Sequence, residues 1–313
     1  MKPTAEIPED AALPALDAIR SVGLAGAIPA LGLQGCPVEL LLRRYHRGVR
    51  AAFEARVRDR RLAVKAYADN PSLEAQLYEA LGAAGLANDP GFRAPQLLAC
   101  DRDLRLLVTG WLEGPTAEQL VESGQGKAAG ELVARWFQRA ASMTVKLGPP
   151  LDADGMLRHA RKWVSTLATT DSALGTAARA LLGTLERTKP KDAAPRLLHG
   201  SFYPRHVIDL GDGVGLFDWE RFGQGPAELD AGEFLATTWR IGVSHEPLAD
   251  EAARAAEAFL AGTAGLLDER ATAWYRAVAL VRLANKRTRR PGDNPALGQP
   301  LLAEAARFAE FDC

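Results

Sequence analysis

Cysteine is scarce in this sequence: Cys36, Cys100 and Cys313 are the whole complement of 313 residues. They are far apart, odd in number and in no metal-ligand spacing, which excludes a disulfide framework and fits a reducing compartment, the cytoplasm by default. Net charge is scarce as well. With 38 basic and 39 acidic residues the chain carries about −1 at pH 7, so no global field favours a nucleic acid or a membrane as partner. The basic start and apolar block of a signal peptide are missing; Glu6, Glu9 and Asp10 stand there instead. Long apolar runs are missing too. The nearest approach, SVGLAGAIPALGLQGCPV from Ser21 to Val38, is uncharged for 18 residues. It is interrupted by Gly23, Gly26, Pro29, Gly32, Gly35 and Pro37, which argues against a span and for a packed lead-in over residues 1–37.

What is present divides into two kinds of pattern. Glu39–Tyr45, Ala52–Arg58 and Leu62–Tyr67 are short, partly alternating runs separated by turn-forming HRGVR and DRR. Pro71 and Ser72 open a helix with Leu73, Leu77 and Leu81 on one face and Gly85 as its stop. Two further strands meet at Asp101–Asp103, completing a five-stranded sheet with one helix over residues 38–114. From Thr116 the period becomes helical, in GELVARWFQRAASMTVKLG, MLRHARKWVSTLATT and ALGTAARALLGTLERT. A hairpin around Asp212-Gly213 interrupts these helices before they resume to residue 290 and again near 301–310. A β-rich part followed by a helical part, 115–313, is an α+β arrangement.

Several residues have chemical potential. Lys65 sits in AVKAY with its side chain opposite those of Val64 and Ala66, either facing a ligand or guarding an edge strand. Glu74 lies in the first turn of the next helix, where the dipole favours a carboxylate; an exposed cap and a partner for Lys65 both fit. Asp218 and Glu220 follow a hairpin strand and form a reasonable hard-cation site, or a turn. His199 and His206 lack a third ligand for zinc. Ser201 follows Gly200 directly and so does not fit the nucleophile elbow of a serine hydrolase. The basic residues from Arg43 to Arg61 and from Asn285 to Arg290 lack interleaved aromatics and read as solvated faces or a positive rim.

In order and spacing, AVKAY, PSLEAQL, LLVTGWLEG, LLHGSFYPRHV and GLFDWERFGQGPAELDAGEFLA resemble the aminoglycoside phosphotransferase and choline kinase group. The resemblance runs from about residue 38 to 290 and implies a bilobal protein-kinase-like fold, with a small β-rich lobe and a larger helical one. It implies ATP and Mg2+ as cofactors and a small hydroxylated molecule as acceptor, with neither nucleic acid nor membrane as partner. Lys65 would contact the α- and β-phosphates, oriented by Glu74, and Thr109, Trp111 and Glu113 would belong to the hinge that holds the base. Gly48 marks the first hairpin, flanked by Arg47 and Arg50. Asp218 would bind the metal with Glu220 assisting, His199 would brace the loop, and Asp230 would anchor the following helix. The acceptor would lie among helices near Trp163, Trp239, Trp274 and Arg282.

Two positions depart from the group. Ser201 stands where its catalytic aspartate belongs, and His206 where it has a metal-binding asparagine. Serine is not basic near neutral pH, and a base is worth about 10²–10⁴ in rate. Imidazole suits Mn2+ better than Mg2+, and a neutral His206 is also a candidate base. The sequence thus leaves two readings: a slow or rewired phosphotransferase, or a pseudokinase that binds nucleotide or regulates.

Overall fold

A computed structural model describes residues 7–87, 89–191, 193–287 and 295–310. Glu6, Thr288, Arg289, Arg290 and Cys313 lie outside the described residues. The chain divides into two units, Met1–Glu113 with Gly215–Phe217, and Gly114–Val214 with Asp218–Cys313.

The first unit begins with a helix where only a packed lead-in was expected, α1 (Pro14–Ala27). Proline at its first turn suits a helix start, and Ala15, Leu16, Ile19 and Leu24 form its buried stripe. Gly23, at φ 69°, kinks it, which is why the sequence hides the helix among its glycines. Then come β1 (Glu39–His46), β2 (Arg50–Val57), β3 (Arg60–Tyr67), α2 (Ser72–Ala83), β4 (Phe92–Arg93), β5 (Leu97–Asp101) and β6 (Leu106–Gly110). Five of these strands form a sheet in the order β1-β2-β3-β6-β5, antiparallel at every pairing. Strand alternation sorts its two faces. Ala51, Phe53, Ala55, Leu62, Val64, Ala66, Leu106 and Val108 share one buried core with Leu16, Ile19 and Leu24 of α1. Lys65, paired with Ala52 and Leu107, therefore belongs to the opposite face. On α2 the buried stripe is Ala75, Leu77, Tyr78 and Leu81, whereas Leu73, expected on that face, is 45% exposed.

The rest of the chain is helical around a few short strands: α3 (Ala117–Glu122), α4 (Gly126–Ala140), α5 (Ala153–Thr170), α6 (Ser172–Arg187), β7 (Arg196–Leu198), β8 (Val207–Asp209), β9 (Val214–Leu216), β10 (Gly223–Gly225), α7 (Ala227–Ser244), α8 (Ala249–Gly262), α9 (Glu269–Arg287) and α10 (Gly298–Ala309). All of it belongs to the second unit except Gly215 and Leu216 of β9, with Phe217 after them. Side chains fix several starts: Thr116 and Gln119 form a capping box on α3, and Asp152 and Asp171 cap α5 and α6. The expected helix over 130–148 stops at Ala140; Gly148 (φ 99°) and two prolines after it cannot continue a helix. Leu157, Val164, Leu181, Leu185, Trp274, Val278 and Leu301 contribute to one core across α5, α6, α9 and α10. Among the described residues no helix is long and apolar enough to cross a membrane.

Candidate functional site

The loop after β7 is organised by one carboxylate. Asp230, in the first turn of α7, accepts the backbone N–H of His199 at 2.7 Å and that of Gly200 at 2.9 Å. Burial pushes its carboxyl up to about 7, even though both amide bonds favour the charged form. Gly200 has no substitute: its φ is 70°, and a Cβ there would sit 1.9 Å from the Arg221 carbonyl oxygen.

Ser201 is buried, with Oγ 3.4 Å from His199 Nδ1. The His199 ring packs 4.9 Å from that of Trp219 and 5.8 Å from that of Phe202. The turn over Pro204–His206 brings His206 back, so that its Nδ1 donates to the Ser201 carbonyl at 2.9 Å. A carbonyl only accepts, so the proton is on Nδ1. Burial holds the ring well below the ordinary histidine range, and the neutral ring carries its lone pair on Nε2. Asp218 Oδ2 lies 3.4 Å from that Nε2. Asp218 itself has φ 70°, a left-handed conformation that a non-glycine residue adopts at a cost of about 1–3 kcal/mol. The site thus combines an imidazole nitrogen and a carboxylate oxygen, close enough to share one ion. Glu220 is half-buried, and among the described residues no three His, Cys, Asp or Glu side chains form a metal-holding group. A cation held by this pair alone would need ligand oxygens or water to complete its shell, the usual way magnesium and manganese are held.

Beside this loop, Arg282 of α9 donates to the Tyr203 hydroxyl and pairs with Glu233 of α7 at 3.2 Å. Burial pushes the Glu233 carboxyl up. The Arg205 guanidinium lies 4.3 Å from the centre of the Tyr203 ring. Sequence reasoning missed Glu233; its place three residues after Asp230 on one helix was the available signal. Trp274 is core: it is 2% exposed and its Nε1 donates to the Leu185 carbonyl, which removes it from an acceptor pocket. Trp163 and Trp239 pack against the same core.

In the first unit, Lys65 Nζ is 3.4 Å from Glu74 Oε1, and Tyr67 donates its hydroxyl to Glu74 Oε2 at 2.8 Å. Glu74 is only 6% exposed, so it is not a solvated cap. Thr109 is buried on β6. Arg61 lies 4.5 Å over the Trp111 ring and donates to both Glu113 oxygens at 2.7 Å. The basic residues of these hairpins are not all a solvated face, because Arg43, Arg56 and Arg61 converge on Glu54, whose side chain is fully buried. Burial alone would raise that carboxyl; hydrogen bonds from Arg61, Arg43 and Arg56 outweigh it and hold it at about 2. No sequence signal singled Glu54 out. Gly48 occupies the β1–β2 tip at φ 68°, beside exposed Arg47 and half-buried Arg50. Cys36 and Cys100 are free thiols, both half-buried.

Comparison with known proteins is consistent with this geometry. The family model described as "Phosphotransferase enzyme family" matches residues 38–271. Among solved structures, the chain is similar to an aminoglycoside-3'-phosphotransferase of type VIII, at 22% identity and a TM-score of 0.58, over 85% of this chain and 98% of that one. It is similar to a thermostable mutant of aminoglycoside phosphotransferase APH(4)-Ia in ternary complex with AMP-PNP and hygromycin B, at 15% identity and a TM-score of 0.68, over 94% and 98%. Choline kinase LicA from Streptococcus pneumoniae gives 13% identity and a TM-score of 0.60, over 90% and 96%. No curated protein matches the sequence. At these identities the structural likeness speaks for the fold, which is the α+β, kinase-like one expected.

Proposed function

The chain belongs to the phosphotransferase enzyme family, and from that membership we propose that it is an ATP-dependent kinase of a small hydroxylated molecule, working in the cytoplasm. The observation that carries the nucleotide assignment is the Lys65–Glu74 pair, 3.4 Å apart with Glu74 buried. A buried carboxylate that also accepts from Tyr67 holds the ammonium in one place, ready for phosphate oxygens. AMP-PNP bound to a protein of similar fold supports the choice of ATP. Thr109, Trp111 and Glu113 are assigned to the base, with Arg61 fixing the last two, and Gly48 to the hairpin over the phosphates.

His206 and Asp218 are assigned to a divalent cation, which when bound supplies charge neutralisation for the transferred group. The neutral imidazole has one lone pair, so His206 either ligates or takes a proton. Its Nε2 turned to Asp218 at 3.4 Å favours the ligand role, and with it manganese over magnesium. Glu220 assists from the adjoining turn, and His199 braces the loop through its packing on Trp219. Ser201 offers no base, and transfer then rests on positioning and charge alone, which predicts slow turnover. A second reading, a pseudokinase that binds nucleotide without transferring phosphate, is favoured by one observation: Ser201 is buried with its hydroxyl against His199.

ATP with Mn2+ is expected to raise the melting temperature, by more than ATP with Mg2+, since a ligand at 100 times its Kd adds about 2.7 kcal/mol. Lys65→Ala should abolish the shift in a folded protein; an undiminished shift would remove Lys65 from the site. Turnover of γ-labelled ATP by the wild type separates the kinase from the pseudokinase.

A further inference from the structure

The tip of the β1–β2 hairpin is held by a residue far away in sequence. Asp10 lies 38 residues before Gly48, yet its Oδ2 accepts the Gly48 backbone N–H at 2.6 Å and the Tyr45 hydroxyl at 3.0 Å. Asp10 is fixed in its turn: Oδ1 accepts from the Ala12 N–H at 3.1 Å, and its carbonyl accepts from the Leu13 N–H at 3.0 Å. Leu13 leads directly into α1, which is buried with the sheet in a common core. The residues from Asp10 to Ala27 are therefore a strap across the back of the sheet that ends at the hairpin tip.

The approach direction gives this strap a meaning. Tyr45 packs against the core on the α1 side, while Lys65 belongs to the opposite face of the sheet. The carboxylate thus reaches the tip on the α1 side of the sheet, away from the Lys65 face. Gly48 has no side chain to pack, and a Cβ built there meets nothing within 4 Å. A glycine tip of this kind fluctuates unless hydrogen bonds hold it. The bond from Gly48 is charge-assisted, because the donated amide is the main influence keeping the Asp10 carboxyl below its ordinary range, with Tyr45 and Arg47 acting in the same direction.

We propose that Asp10 is a latch, a positioning residue that holds the β1–β2 tip in a preformed place for the phosphates of the bound nucleotide. The proposal rests on the nucleotide reading above for its ligand, but the latch itself does not. Two measurements keep these apart. Trypsin under native conditions, with first cuts mapped by mass spectrometry, reports on the tip through cleavage after Arg47 and Arg50. Asp10→Ala should speed those cuts about fivefold or more, the factor expected from losing one ordinary hydrogen bond at an exposed position. Tyr45→Phe should give a smaller rise, and Asp10→Asn should be partly rescued because its amide oxygen still accepts from Gly48. The second measurement is binding. Asp10→Ala should weaken ATP about fivefold and leave adenosine, which lacks phosphates, unchanged. Tip cleavage equal to wild type in both Asp10→Ala and Tyr45→Phe would overturn the latch, as would an equal loss of ATP and adenosine binding. A wild type that binds neither ATP nor adenosine overturns the function reading, and the trypsin comparison alone then decides the latch. Should Asp10→Ala fail to fold, Tyr45→Phe, which keeps the ring in the core, carries both measurements.

Discussion

Position 201 shows how one side chain sets the chemistry a loop can perform. The backbone around it is held rigidly: Asp230 takes the amides of His199 and Gly200, and His206 donates to the Ser201 carbonyl. The hydroxyl is the only variable, and it faces His199. Ser201→Asp places a carboxylate on that scaffold and is expected to raise ATP hydrolysis by about 10-fold or more, a modest share of what a base supplies. The gain should vanish when Asp218→Ala is added, since on the proposed reading Asp218 holds the cation without which a base cannot act. A fall in activity would mean that the native serine belongs to a working alternative. No change in a folded, nucleotide-binding variant would leave the pseudokinase reading ahead.

At the scale of elements, the start of α7 does the organising. Asp230 and Glu233 are on neighbouring turns, both buried, one anchoring the loop backbone and the other paired with Arg282 of α9. Burial raises the Asp230 carboxyl from an ordinary 3.8 to about 7. Between those two values the folded protein holds a proton that the unfolded chain has released, so this group lowers stability as pH rises through the window. Asp230→Asn removes the titration and one of two acceptors, costing about 1–3 kcal/mol where the wild type is protonated. The stability gap between wild type and variant, measured from urea midpoints, is therefore expected to narrow from pH 5 to pH 8. A gap that stays constant over that range would show that the two amide bonds dominate and that Asp230 is charged throughout.

For the whole molecule, the division into two units with separate cores has a thermodynamic consequence. Phe53 is 2% exposed in the core shared by α1 and the sheet, and Trp274 equally buried in the core of the helical unit. Phe53→Ala should cost about 3–5 kcal/mol, charged to the first unit. Only Trp111 of the six tryptophans belongs to that unit. Calorimetry should then show a component moved to lower temperature while the bulk tryptophan fluorescence transition stays near its wild-type position. A single transition, shifted equally by both probes, would mean that the chain unfolds as one cooperative body.

The alternation of β2 and β3, the turns between them, and the helical periods after Thr116 are local signals, and the chain determined those elements by itself. The order of short motifs from AVKAY to FDWE was likewise enough to name the fold, because their spacing is a property of the chain. Local signals failed where composition disguised structure, as in α1, whose glycines conceal a buried stripe. They also failed where the outcome depends on distant residues. Nothing near Glu54 announces that three arginines would enclose it, and nothing near Asp10 that it would reach Gly48. The proton on His206 Nδ1 is set by a carbonyl five residues away that the loop folds back to meet. The left-handed turn at Asp218 that aims its carboxylate at that ring is likewise a product of packing. Periodicity is written in neighbours along the chain, whereas burial, tautomer and the approach of the His206 nitrogen to the Asp218 oxygen are set by neighbours in space, and these only the tertiary structure decided.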